Sequence, residues 1–146
     1  MSLFNSMNIS ASGMTAQSLR MDIISQNIAN VNTTRDENGD VYKRKMLYFE
    51  EKDTTPFADV LATTAAGYNG KGVKVTAVLE DNVTPCKQVY DPSHPDADEN
   101  GYVTYSNVNT VTEMTDLIDA SRAYEANVTS FNAAKSMAMA GLDVGK

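Results

Sequence analysis

The chain has 146 residues, enough for one ordinary domain, and its 42% hydrophobic content excludes compositional disorder. A net charge of −7 gives no electrostatic footprint for nucleic acid or for an anionic membrane surface. No run approaches the ~18 apolar residues that cross a bilayer, and one cysteine, Cys86, excludes a disulfide framework within the chain.

The first segment, about Ser2 to Asn30, is predicted to be helical. Phe4, Met7, Ala11, Met14, Met21 and Ile28 follow alternating steps of three and four, with Ser18 and Ser25 in the remaining places. A second apolar column, Ile9, Ala16 and Ile23, lies on another face, so the helix needs partners on at least two sides. Fifteen of residues 2–33 are Ser, Thr, Asn or Gln, and only Arg20 and Asp22 are charged. A solvated helix carries Lys and Glu on its free face, and Ser, Thr and Asn are weak helix formers. The segment is therefore expected to be poorly helical alone and to fold on docking.

From about Val41 to Ser106 the pattern changes to short strands and loops. Residues 73–80 alternate as a strand does, Tyr42 to Phe49 and Lys87 to Tyr90 are weaker candidates, and glycines at 67, 70 and 72 punctuate the approach. Residues 91–101, DPSHPDADENG, are a loop by composition. The last segment, about Val111 to Leu142, is a second helix with Leu117, Ala120, Tyr124, Phe131, Ala134 and Ala138 on one stripe and Asn127 as its polar exception. Thr110 and Glu113 suit a capping box at its start, and Gly141 and Gly145 mark a fraying end. Each helix should be roughly 45 Å long.

The layout predicts an α+β fold: long N- and C-terminal helices paired as an antiparallel coiled coil, with a small β-rich insert between them. Residues 1–33 and 107–146 form the helical domain and residues 34–106 the insert. Such a hairpin buries too little for independent stability, so other subunits must supply the rest.

Candidate chemistry is sparse. Asp96, Asp98, Asn100 and Gly101 copy the first half of a calcium loop, but the twelfth position is Asn107 instead of a bidentate Glu, so an acidic turn joining two strands is the reading preferred. His94 has no Cys or His partners for zinc. The carboxylate pairs Glu50–Glu51 and Asp98–Glu99 lack a nucleophile or a pocket, and no phosphate loop or Ser-His-Asp order is present, so no catalytic residue, cofactor, metal, small-molecule substrate or nucleic-acid partner is expected. Lys43, Arg44 and Lys45 make a solvated strand face, or an electrostatic contact with an acidic neighbour in an assembly.

Two stretches identify a family. SQNIANVNT at Ser25 to Thr33 resembles the N-terminal signature of flagellar rod, hook and hook-associated proteins, and NVNTVTEMTDLIDASRAYEANV at Asn107 to Val128 resembles their C-terminal motif. LFNSMNISASGMTAQSLRM, YDPSHPDADENGYV and the closing LDVGK are similar to proximal rod members, and the resemblance spans nearly the whole chain. Ser106 stands where the family often has Pro, and Asp53 to Lys71 matches no assigned stretch. The resemblance implies a structural, non-enzymatic subunit of the bacterial flagellum's basal-body rod. Such a subunit is exported through the flagellar type III apparatus without a cleavable signal peptide, consistent with the absence of a basic patch and apolar run at the start. It implies polymerisation through the terminal helices into a tube that transmits torque in the periplasmic space and encloses an export channel. The partners implied are other copies of the chain, the rod proteins FlgB, FlgF and FlgG, and FliE, near the inner-membrane ring. The assembly surface would comprise Phe4, Met7, Met14, Met21, Asn27, Ile28, Asn30, Asn32, Leu117, Arg122, Tyr124, Glu125, Asn127 and Phe131. Within it, matching makes Asn27, Asn30 and Asn32, with Asn107 and Asn109, hydrogen-bonders at the helix–insert junctions, and Asn27→Ala or Arg122→Ala would weaken assembly while the insert stays folded. The rival readings are a soluble coiled-coil adaptor or export-chaperone-like binding protein, and a calcium-regulated module.

Overall fold

A computed structural model describes residues 3–35, 39–52 and 70–144. Gly67, Gly145 and most of the unmatched stretch Asp53 to Lys71 lie outside them. The order is α1 (Leu3–Ala29), β1 (Lys45–Glu51), β2 (Val73–Glu80), β3 (Lys87–Tyr90), β4 (Tyr102–Tyr105) and α2 (Thr110–Val144). In chain order two long helices thus bracket two two-stranded sheets, β1–β2 and β3–β4, an α+β arrangement. At 1.5 Å per residue the helices measure about 40 Å and about 52 Å. No helix among the described residues is long and apolar enough to cross a membrane.

β3 pairs antiparallel with β4 in the register Lys87 with Tyr105, Gln88 with Thr104, Val89 with Val103 and Tyr90 with Tyr102. The acidic turn between them is built from its own side chains. Asp91 Oδ1 accepts the Ser93 N–H and hydroxyl, and Asp98 Oδ1 accepts the N–H groups of Asn100 and Tyr102. Gly101 closes the turn with φ of 81°, a left-handed conformation that a side chain would strain. Strand β1 begins three residues later than the expected Tyr42, because Tyr42 and Arg44 are drawn into a polar junction described below.

The chain divides into two compact units. The first comprises Met1–Leu19, Phe49–Thr76 and Ala120–Lys146. Its buried hydrophobic residues, among those described, are all alanines: Ala16, Ala120 and Ala134. Gly13 lies so close to α2 that a Cβ there would sit 2.7 Å from Asn127 Oδ1. The arm leading into β2 is tied to α1: Asn5 Nδ2 donates to the Gly70 carbonyl at 3.1 Å, and the Val73 N–H donates to Ser12 Oγ at 3.0 Å. Gly72, with φ of 90°, brings its backbone against Ser12 and Ile9, where any Cβ would collide.

The second unit comprises Arg20–Tyr48 and Ala77–Asp119. Its buried apolar residues are Ile23, Ile24, Val103 and Val108. Arg20 meets Asp116 and Asn27 meets Glu113, so α1 and α2 run antiparallel in this unit.

The faces of α1 differ from the sequence reading. Its buried positions are Ser10, Ala16, Ile23, Ile24 and Asn27, while Met7, Met14, Met21 and Ile28 are half-buried and Phe4 is 72% exposed. The column Ile9, Ala16 and Ile23 is thus the more enclosed, and the methionine seam flanks it. Gly13 meets Asn127, Arg20 meets Asp116 and Asn27 meets Glu113; these three stand seven apart, which places them on one face of α1. On α2 the reading holds better: Ala120 and Ala134 are buried and Leu117, Tyr124, Asn127 and Phe131 half-buried.

The cap of α2 also differs. Asn109, not Thr110, accepts the N–H groups of Val111 and Thr112 on its Oδ1, at 3.1 and 3.5 Å. Glu113 does not turn back to close a capping box; it points into the protein. At the other end the helix runs through Gly141 to Val144.

Candidate functional site

The densest constellation of polar side chains lies in the second unit, where the end of α1, the start of β1 and the first turns of α2 converge. Its centre is Glu113, 0% exposed. A buried carboxylate costs several kcal/mol unless it is paired and hydrogen-bonded, and here both oxygens are taken. Arg44 Nε donates to Oε1 at 2.6 Å, and Asn27 Nδ2 donates to Oε2 at 2.9 Å. Arg44 Nη2 reaches Asp116 at 3.2 Å, and Asp116 faces Arg20 at 3.7 Å. Four charges of alternating sign therefore link the three segments.

Asn27 acts as a surrogate strand neighbour. Its Nδ2 donates to the Lys45 carbonyl and its Oδ1 accepts the Lys45 N–H, both at 2.9 Å. The Tyr42 hydroxyl also donates to Oδ1, at 2.9 Å. Its buried amide is thus fully used. Burial, then the negative charges of Glu113 and Glu80, raise the Tyr42 pKa above its ordinary value, so the phenol keeps the proton it donates.

Asn107 fixes the same strand from the other side. Its Oδ1 accepts the Arg44 N–H at 2.8 Å, and its Nδ2 donates to the carbonyls of Asp81 and Thr84. Asp81 in turn accepts the N–H groups of Thr84 and Val83 and the Thr84 hydroxyl, bonds that hold its carboxyl below the ordinary range.

The other predicted residues are dispersed. Asn30 bonds back to the Gln26 carbonyl and accepts the Thr33 hydroxyl, Asn32 is exposed, and Asn127 donates to the Ala123 carbonyl. Arg122 and Glu125 are exposed. Asn27 is 1% exposed and saturated within the chain, so it is not free to touch a neighbour directly. The basic run is corrected as well: Arg44 is spent on Glu113 and Asp116, Lys43 donates to Asn82, and Lys45 lies 5.5 Å from the centre of the Tyr42 ring. The calcium-like carboxylates are also engaged: Asp96 pairs with Arg35 and accepts the Thr34 hydroxyl, and Asp98 holds its own turn. Among the described residues no group of three His, Cys, Asp or Glu side chains is arranged to hold a metal ion.

Sequence reasoning missed the central role of Arg44 and Glu113, which lie 69 residues apart. One signal was available: Glu113 stands seven before Ala120 in the column Ala120, Asn127, Ala134, a charge in line with small, enclosed positions.

The two ends that meet here match known families. Residues 7–35 match the family described as "Flagella basal body rod protein", and residues 99–144 match "Flagellar basal body rod FlgEFG protein C-terminal". The flagellar basal-body rod protein FlgC of Bacillus subtilis is 45% identical, with all of both chains covered. That of Borreliella burgdorferi is 43% identical over 99% of this chain and 98% of its own, and that of Salmonella typhimurium is 36% identical over all of both. The chain belongs to the FlgC family of flagellar basal-body rod proteins. It is a structural subunit of the flagellar basal-body rod, located in the basal body and assembling there with other rod proteins. For such a subunit the junction is a structural site: it fixes how the β insert is held to the two ends that match the rod families.

Proposed function

We propose that this rod subunit has no enzymatic activity and polymerises through its terminal helices, residues 1–33 and 107–146, into a helical tube that transmits torque and encloses the export channel. Its neighbours in that tube are further copies and the rod proteins FlgB, FlgF and FlgG, with FliE. It reaches the periplasmic space through the flagellar export apparatus. One observation carries the reading. The first unit's buried hydrophobic residues, among those described, are only alanines, while Phe4, Leu19, Met137, Met139 and Leu142 remain exposed. Small side chains supply little burial, about 0.8 kcal/mol per buried methylene, so a neighbour is needed to cover the helices. A contact repeated without closing then generates an open helix of subunits.

Phe4, Met7, Met14, Met21, Ile28, Asn30, Asn32, Leu117, Arg122, Tyr124, Glu125, Asn127 and Phe131 are the proposed assembly surface. Asn27 serves it indirectly, by holding β1. Phe4→Asp tests the reading: because Phe4 is largely exposed, the monomer's circular dichroism should not change, whereas rod formation and motility should be lost. Normal motility would remove Phe4 and its surface from the reading.

A further inference from the structure

The second unit carries an open groove of about 1020 Å³ along the start of α2. Val31, Pro85, Val89, Val108 and Val111 give it one apolar wall, Lys87 stands at its side, and much of the remaining lining is polar. Among the described residues no carboxylate lines it. Lys87 makes no ion pair with a described residue, and Val111 is 73% exposed. The groove borders the positive end of a 35-residue helix dipole. It therefore suits an apolar segment with negative charge at its tip.

The far end of α2 has that chemistry. Met139, Leu142 and Asp143 stand at i, i+3 and i+4, which places them on one face. Met139 is 57% exposed and Leu142 74%. The last helical turn contains no basic residue and Asp143 adds a negative charge to its carbonyl end, with Lys146 following three positions on. The start of α1 is the competing occupant, since Phe4 is exposed there. It fits worse: it would bring a second positive helix end, with no acidic residue in its first turn, against the first.

We propose that the C-terminal end of α2 of one copy docks in the groove at the start of α2 of a second copy, Leu142 against the valines and Asp143 near Lys87. The contact is heterologous, head to tail, and leaves a free groove and a free end for the next subunit. This inference rests on the reading that the chain polymerises, and names one contact by which it does so.

Val89 supplies the test, because it lines the groove on the same strand as Lys87, whereas Cys86 does not line it. The full-length Cys86→Ser/Val89→Cys variant is mixed with the full-length Cys86→Ser/Leu142→Cys variant and oxidised with diamide under assembling conditions. Bonds are mapped by mass spectrometry. The expected product is a disulfide between position 89 of one copy and position 142 of the other, exceeding both like-with-like products. Adding Lys87→Asp to the first variant should lower its yield several-fold, and adding Asp143→Lys to the second should restore it. Assembly with only like-with-like bonds, or with none, overturns the docking proposal and leaves the rod reading standing. Absence of assembly, alone or with the other rod proteins, by sedimentation and electron microscopy overturns both. An unchanged yield with Lys87→Asp overturns the charge pairing.

Discussion

The two units solve the same problem, holding β structure against a helix, by opposite means. In the second, long charged and polar side chains reach across: Arg44, Glu113, Asn27 and Asn107 link segments that lie far apart in sequence. In the first, glycine backbones lie directly against short side chains, Gly72 against Ser12 and Gly13 against Asn127, and alanines are what is buried. The polar solution fixes register, because a hydrogen-bonded pair tolerates few alternatives. The close-approach solution leaves much apolar side chain uncovered, which suits surfaces that other subunits are to cover.

The sharpest way to break this comparison is Arg44→Met. It removes the cation facing a carboxylate that has no exposed surface, and should lower the unfolding free energy by about 3 kcal/mol. Combining it with Glu113→Met should recover most of that loss, since neither charge is then buried alone. Urea unfolding of both variants checks it; equal loss in the single and double variants would mean the network does not carry the second unit. Next comes Gly72→Ala, which meets both a left-handed backbone and the Ser12 side chain. A cost of about 2 kcal/mol is expected, with faster amide exchange at Val73 as the local sign. Asn109→Ala removes the cap of α2 and should cost about 1 kcal/mol, whereas Thr110→Ala should cost less; the reverse order would reinstate Thr110 as the cap.

The smallest effect is on pH. The lowered Asp81 pKa adds stability that is complete above the ordinary aspartate value of 3.8 and is lost as pH falls through the lower folded value. The raised Tyr42 pKa adds stability that is complete below 10.0 and is lost as pH rises from there through the raised value. Urea midpoints against pH should show a plateau between these two limits, and Thr84→Ala should move the acid edge upward.

Much of this fold was legible because helices and strands are local. The three-four spacing located α1 and α2 within two residues at each end, and alternation placed β2 and β3 at their observed bounds. The inward face of α1 was harder. Methionine columns draw attention by hydrophobicity, but where two helices touch, Gly13 and Asn27 allow an approach that Met14 and Met21 do not. The junction was least legible, since Glu113 reads as an ordinary capping residue until a strand from 69 positions away delivers Arg44 to it. Nothing in the sequence near either residue states that distance.

The way Asn27 grips Lys45 sets where this chain can change length. Both backbone groups of Lys45 are held by a side chain anchored in α1, and the neighbouring Arg44 faces Glu113. Side chains alternate along an extended strand, so shifting Tyr42 to Lys45 by one position would deliver a lysine where the guanidinium belongs. A single residue added after Tyr42 therefore rethreads the site. Epitope tags, and natural insertions in relatives, should be missing between Tyr42 and Lys45.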